Sequence, residues 1–306
     1  MRILFVSSGN SGKISPIVLA QGESLRQFGL EVVYFTIQGK GIQGYTKNIF
    51  KLRKFLKNNS FDCIHAHFVL SALVATMAGA KPLVVSLMGS DTAKGALHIR
   101  LTRFLQARVW DYTLVKSEKM KDDLGVPDIL VLPNGVNFKH FRPINQQESL
   151  ETVGWNPEKR YVLFASSPSR PEKNYALALE AFSKLNMPHL VMKTLDQVSF
   201  DQVPFYYCAA DVVLLTSHRE GSPNVIKEAM ACNRPIVVTD VGDVKKVLGQ
   251  TAHCYVVDSK VEHVSAAVKK IVDLPYISTN GRENIQWLNQ EVVAQKLVEI
   301  YKELRR

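Results

Sequence analysis

No stretch of this chain reaches the roughly 18 consecutive apolar residues that a membrane-spanning helix needs. The apolar run nearest the start, Ile3 to Val6, is short and stops in a Ser/Gly/Asn turn, so it reads as a first buried strand rather than the core of a signal peptide. Cysteine is scarce: Cys63, Cys208, Cys232 and Cys254 lie far apart in apolar surroundings and form no C-x-x-C pair. Reduced, buried thiols and a cytoplasmic location are expected. There is no Asp-x-Asp, so no short motif offers itself for a metal that bridges a diphosphate. Short internal repeats and low-complexity segments are missing too. The first turn, Ser7 to Ser15, has Ser7 and Ile14 where a P-loop needs Gly and Ser or Thr, and it is not G-x-G-x-x-G. A P-loop ATPase and a dinucleotide enzyme are thereby disfavoured, although Gly9 and Gly12 would still let the backbone approach a phosphate or sugar.

Acidic residues are missing from two long stretches, Val32 to Phe61 and Thr92 to Trp110. The first accumulates Lys40, Lys47, Lys51, Arg53, Lys54 and Lys57. The second carries Lys94, Arg100, Arg103 and Arg108 among Leu97, Ile99, Leu101, Phe104 and Leu105. Both read as basic amphipathic helices, suited either to solvent or to an anionic membrane surface or acidic acceptor. They account for much of the formal charge of +10. Nucleic acid is not expected as a partner, because no recognised binding motif accompanies the charge.

What is present is a repeated β-α pattern. Eleven short β-rich runs alternate with helical stretches over the 306 residues, which argues for parallel, doubly wound sheets. The length suits two domains. A polar segment, Asn145 to Lys159, contains Pro157 and shows no apolar periodicity, so it reads as a linker. The expected domains are 1–145 and 159–285, followed by a last segment, 286–306. Ligands of such sheets lie at the carboxyl ends of the strands.

The motifs fall at those ends. Glu220-Gly-Ser-Pro-Asn-Val-Ile-Lys-Glu228 starts a helix, with Ser222 read as its N-cap and Pro223 as its first residue. The helix amides favour an anion such as a diphosphate. Glu220 precedes that end, and Glu228 shares a helix face with Asn224. One carboxylate could hold sugar hydroxyls and the other a ribose diol; on this segment alone, a capped helix with two solvated glutamates fits equally well. After Phe164, a turn delivers Arg170 and Lys173, a guanidinium fork and a point charge for phosphate oxygens. His65 and His67 end a strand on one face and could chelate a metal, but with no third ligand nearby a structural or acceptor-side role is preferred. Pro133-Asn134-Gly135-Val136-Asn137 is a turn signal, and Gly242 marks another strand end.

In combination, Gly89-Ser90-Asp91, Pro133–Asn137, Arg170 with Lys173, and the E-x7-E pair Glu220/Glu228 resemble the retaining glycosyltransferases of family 4. The resemblance implies a GT-B fold of two Rossmann-like domains facing each other across a cleft. It implies sugar transfer from a nucleotide sugar, with a UDP-sugar favoured, to a saccharide or lipid-linked hydroxyl acceptor, with retention and without a metal or other cofactor. By that likeness Glu220, Arg170, Lys173 and Asp91 are catalytic. The donor is held by Gly12, Arg170, Lys173, Glu220, Gly221, Ser222, Pro223, Asn224, Val225 and Glu228. The N-terminal domain would take the acceptor, and the last helix would cross back onto it. Where many relatives carry His before Gly-x-Asp, this chain has Met88, so that residue's role is not carried over. A nucleotide-sugar epimerase or phosphorylase of the same fold, a non-catalytic nucleotide-sugar-binding protein and a glycoside hydrolase using the two glutamates are the alternatives.

Overall fold

Strands covered on both faces have no polar side to present, and runs such as Leu83–Ser86, Val212–Leu215 and Ile236–Thr239 are buried at every position. In the computed structural model, which describes residues 1–10, 12–39, 41–89, 91 and 96–305, these runs pair in parallel into two sheets. Lys40, Ser90, Lys94 and the Leu97 side chain lie outside the described residues. The chain divides into two compact units, Met1–Gly135 with Gln290–Arg306, and Val136–Asn289.

The first unit contains β1 (Arg2–Ser8), α1 (Pro16–Gln27), β2 (Glu31–Ile37), α2 (Gly41–Asn58), β3 (Cys63–His67), α3 (Val69–Ala78), β4 (Leu83–Ser86), α4 (Ala96–Arg108), β5 (Tyr112–Val115), α5 (Glu118–Leu124) and β6 (Leu130–Val131). Its sheet order is β2-β1-β3-β4-β5-β6. The second unit contains α6 (Gln146–Val153), β7 (Arg160–Phe164), α7 (Tyr175–Ser183), β8 (Leu190–Thr194), α8 (Val203–Ala209), β9 (Val212–Leu215), α9 (Asn224–Ala231), β10 (Ile236–Thr239), α10 (Val244–Leu248), β11 (Cys254–Val257), α11 (Val261–Val272) and α12 (Gly281–Asn284). Its sheet order is β11-β10-β9-β7-β8. Both are Rossmann-like, doubly wound α/β sheets.

The last helix, α13 (Gln290–Glu303), belongs to the first unit. Its Val293, Leu297 and Ile300 share a core with Phe5 of β1 and Leu25 of α1. The opposite face of that sheet is covered by α2, α3 and α4, through Leu52, Ala75 and Leu105 among others. At the turn Pro133–Asn137, Val136 donates its N–H to Leu288 O at 2.9 Å. The Gly135 backbone lies so close to Gln290 that an added Cβ would sit 2.5 Å from its Cα. This turn is therefore structural, at the point where the chain changes unit.

The polar segment read as a linker is a helix instead. Asn145 caps α6, its Oδ1 accepting the N–H groups of Gln147 and Glu148 at 2.9 and 3.3 Å, and Gly154 closes it in the left-handed conformation at φ 69°. Only Ser149 and Leu150 of this helix are buried, too few to show as periodicity. All four cysteines are free thiols, three buried and Cys254 partly so. Burial pushes the Cys63 and Cys254 thiols up to about 12, which leaves them inert at neutral pH.

Candidate active site

The sheet of the second unit reverses its winding between β7 and β9: β8 follows β7 on one side, while β9 lies on the other. In open sheets of this kind, ligands bind at the loops that leave the carboxyl ends of those two strands. These loops carry Lys173 and Glu220.

After β7 the chain makes a short 3-10 turn, Pro171–Lys173, and Asn174 takes the left-handed conformation at φ 52°. The Thr216 hydroxyl, just beyond β9, donates to the Asn174 carbonyl at 2.9 Å and so ties the two loops together. Across that junction the Lys173 ammonium pairs with Glu220 Oε1, their side chains only 8% and 16% exposed. The same carboxylate oxygen accepts the Ser217 hydroxyl at 2.8 Å. A lysine ammonium has three donors, of which the carboxylate takes one. The pair thus holds a cation at a strand end in a site of low dielectric.

Arg170 is not part of this cluster. Its Nε donates to Glu172 Oε1 at 2.8 Å, and both side chains are about half exposed. The expected arginine–lysine clamp is therefore present only in its lysine half.

Ser222 does not cap α9. Its hydroxyl donates to Asp243 Oδ2 at 2.6 Å, and Pro223 occupies the cap position with extended backbone, ψ 118°. The Gly221–Val225 turn is instead braced from β10: Gly242, at φ 57°, lies against it so closely that a Cβ would sit 2.5 Å from Gly221 O and 2.9 Å from Glu220 O. Two buried oxygens of this turn and its brace, Asn224 Oδ1 and Asp243 Oδ1, have no hydrogen-bond partner. Burial raises the Asp243 carboxyl above its ordinary range, against the pull of Lys227 and Ser222.

Glu228 lies one turn into α9, half-buried, and its Oε2 accepts the Tyr207 hydroxyl at 2.9 Å. Burial lifts its carboxyl to about 7, against the opposing effects of that hydrogen bond and of Lys227. Lys227 is fully buried, and burial lowers its ammonium to about 8, against the favourable charges of Asp243 and Glu228. Titration near neutrality is a mark of functional sites. Tyr207, Ser217, Lys227 and Asp243 escape sequence reasoning. Asp243 alone had a local signal, its place beside Gly242.

Gly12 and Asp91 belong to the first unit. Gly12 adopts φ 80° and donates its N–H to Gly9 O at 3.0 Å, an open backbone turn after β1. Asp91 is buried and Oδ2 accepts the Met88 N–H at 2.8 Å, so this oxygen closes the turn after β4. His65 and His67 stack at 4.4 Å. His65 bonds Tyr301 through Nδ1 at 2.5 Å and Ser86 through Nε2 at 2.8 Å, while His67 Nε2 meets Gln21 Oε1 at 2.7 Å. Burial and the charge of Lys116 push His67 down to about 3, and His65 is likewise lowered, by burial first. Both rings are neutral, and these partners orient them structurally.

Residues 15–140 match the sequence model of Glycosyltransferase Family 4, and residues 178–274 match that of the glycosyl transferases group 1. The putative teichuronic acid biosynthesis glycosyltransferase TuaC of Bacillus subtilis is 27% identical over 239 residues, 68% of this chain. The match spans 61% of that relative's length. The lipopolysaccharide core biosynthesis mannosyltransferase LpsB of Rhizobium meliloti is 24% identical over 251 residues, 68% of this chain and 70% of its own. In fold, the chain is similar to sucrose-phosphate synthase from Thermosynechococcus elongatus, with a TM-score of 0.86 at 16% identity over 99% of both chains. Anabaena HepE, solved in complex with UDP and glucose, gives 0.76 at 16% identity, over 99% of this chain and 100% of its own. Two Rossmann-like parallel-sheet units and the E-x7-E segment at a strand end agree with both family matches, which make the chain similar to the glycosyltransferases of family 4 in sequence, and its fold is GT-B.

Proposed function

We propose that this protein transfers a sugar from a nucleoside-diphosphate sugar to a hydroxyl acceptor, in the synthesis of a polysaccharide, glycolipid or cell-envelope glycan. The observation that carries this reading is the buried Lys173–Glu220 pair on the two loops that flank the winding reversal of the second sheet. In this reading Lys173 stabilises the charge that develops on the departing diphosphate, a role for which a preorganised cation in a dry site is suited. Glu220 holds donor-sugar hydroxyls, the Gly221–Val225 amides hold phosphate and sugar, and Glu228 takes the ribose diol. Arg170 joins by exchanging Glu172 for phosphate oxygens. Gly12 and Asp91 are assigned to the donor and reacting sugar by family likeness alone.

The reaction proceeds with retention and without a metal. The acceptor oxygen attacks the anomeric carbon on the face from which the phosphate oxygen leaves. The bond from carbon to the phosphate oxygen breaks, the new glycosidic bond forms, and the acceptor proton passes to the leaving phosphate. A product of inverted anomeric configuration, read by NMR, would overturn this step.

The donor site is tested with thermal-shift measurements on UDP-, GDP-, ADP- and dTDP-sugars, with and without Mg²⁺, for the wild type and Glu228→Ala. UDP-sugars are the favoured donors. A donor at 100 times its dissociation constant adds about 2.7 kcal/mol of apparent stability. The expected result is a metal-independent shift with one nucleotide that the mutant loses. No shift with any donor would return the hydrolase reading to the front.

The brace at Gly242 gives a second test. Gly242→Ala places a Cβ against the Glu220 and Gly221 carbonyl oxygens and forces a left-handed alanine, at a backbone cost of about 1 kcal/mol. Nucleoside diphosphate affinity, measured by calorimetry, should fall at least about tenfold, or 1.4 kcal/mol. Gly154→Ala is the control: φ is 69° there too, but nothing lies within 4 Å of the new Cβ, so affinity should hold. Equal effects would remove the brace from the site.

A further inference from the structure

Three consecutive helices, α2, α3 and α4, cover one face of the first unit's sheet, and none contains an Asp or Glu. They are joined side by side. Arg53 of α2 donates to Met77 O of α3 at 2.7 Å, and Trp110, just after α4, donates Nε1–H to Thr76 Oγ1 of α3 at 2.9 Å. Acids return beyond α4, at Asp111 and on α5, which packs beside these helices through Met120 and Leu124 and carries Glu118, Asp122 and Asp123. On the opposite face of the sheet, α13 carries Glu291, Glu299 and Glu303. The α2–α3–α4 layer thus differs in charge pattern from its neighbours α5 and α13.

The outward stripe of α2 is Lys47, Phe50, Lys51, Lys54 and Lys57, all exposed and spaced by three or four residues. Its inward stripe, Ile49 and Leu52, is consumed by the core. Large apolar side chains stand among the cations across the layer: Phe50 is 70% exposed, Phe104 60%, Met77 56% and Leu101 43%. Arg100 and Arg108 flank the α4 pair. Exposed apolar groups interleaved with lysines on a layer of three helices without acids match the interface of an anionic bilayer, where headgroup phosphates meet acyl chains.

From this we infer that the α2–α3–α4 face docks the protein on anionic lipid bilayers. The inference goes beyond the transferase reading and does not need it. Because the apolar stripe of α2 is already buried, the helix cannot insert by its hydrophobic face. Contact is superficial, carried by lysine charge with Phe50 and Phe104 as shallow anchors. Among the described residues no helix is long and apolar enough to cross a membrane.

The test is vesicle flotation, read without donor or acceptor, so its outcome is independent of the donor-site experiments. Wild type should bind vesicles containing 30% phosphatidylglycerol and should not bind pure phosphatidylcholine. About 0.5 M salt should release it, since the Debye length then falls well below 8 Å. Each lysine at such a surface contributes about fivefold. The quadruple variant Lys47→Gln, Lys51→Gln, Lys54→Gln, Lys57→Gln should therefore lose several hundredfold, on the order of four such factors. Phe50→Ser with Phe104→Ser should weaken binding further at fixed charge. The control quadruple Lys159→Gln, Lys184→Gln, Lys245→Gln, Lys260→Gln, at exposed lysines of the second unit, should change it little. All these positions are exposed, and unchanged thermal melting verifies folding. Equal losses in the two quadruple variants, equal binding to phosphatidylcholine, or no binding by the wild type overturns the inference. So does retention on single-stranded RNA that requires the same four lysines while vesicles are ignored.

Discussion

Lys173→Met should cost roughly 3–5 kcal/mol of stability, the loss expected when one partner of a buried ion pair is removed and the other is left uncompensated. The stranded group is Glu220, only 16% exposed, whose remaining partner is the Ser217 hydroxyl. The same substitution should lower transfer by about 10²–10³ in kcat if Lys173 stabilises the leaving diphosphate. The two effects separate in the double variant Lys173→Met/Glu220→Gln. With both charges gone, most of the stability should return, because a buried pair and its neutral replacement differ little. Activity should not return. Urea denaturation and nucleoside-diphosphate release measure the two quantities on the same three proteins. If the double variant recovers both, the pair is a structural element and the transferase reading loses its cation. If Lys173→Met alone retains full stability, the burial of Glu220 has been misjudged.

The β-strands were legible because a parallel strand between two helical layers shows an unbroken run of Val, Ile and Leu between turn residues. Leu83–Ser86 and Val212–Leu215 are such runs, and both are strands. Helix α6 was not legible, since its Asn145 cap and Gly154 stop frame a helix that buries only two residues. The change of unit at Gly135 was hidden for a related reason: the sign of it is a backbone contact with Gln290, far along the chain. At the site, sequence spacing predicts that Lys173 and Glu220 occupy strand ends, and topology makes those strands neighbours. Spacing says nothing of who competes for a side chain. Ser222 has the right identity and place for an N-cap, yet Asp243, 21 residues on, takes its hydroxyl. Arg170 has a carboxylate two residues away in Glu172 and uses it. Tyr207 reaches Glu228 from another helix, so no local pattern announces that bond.

The burial of Glu228 sets up the other large effect. The Glu228 carboxyl ordinarily titrates near 4.5 and is lifted to about 7 in the folded chain. Below 4.5 it is protonated folded or unfolded and contributes nothing to the pH dependence. Between 4.5 and 7 the folded state binds the proton and the unfolded state does not, so stability falls as pH rises through this window and levels off above it. At 1.36 kcal/mol per pKa step, the ionised group costs about 3 kcal/mol at pH 8. Glu228→Gln keeps an acceptor for the Tyr207 hydroxyl and removes the charge. It should stabilise the protein by about 2 kcal/mol at pH 8. The remainder of the gain is lost because buried Lys227 loses a favourable neighbour. At pH 4 the variant and wild type should melt together. Function should move the other way: hydrogen bonds to a charged group contribute about 1.5–3 kcal/mol, so nucleotide affinity should drop about 10- to 100-fold. Wild-type affinity should also rise with pH through 7, as the carboxylate proposed to hold the ribose diol forms, and the variant should show no such rise. Melting and calorimetry at pH 4, 6 and 8 measure both. A variant that is less stable at pH 8 would show that the carboxylate is welcome in its site. Pairing greater stability with unchanged nucleotide affinity would leave Glu228 half-buried and titrating but outside the donor site.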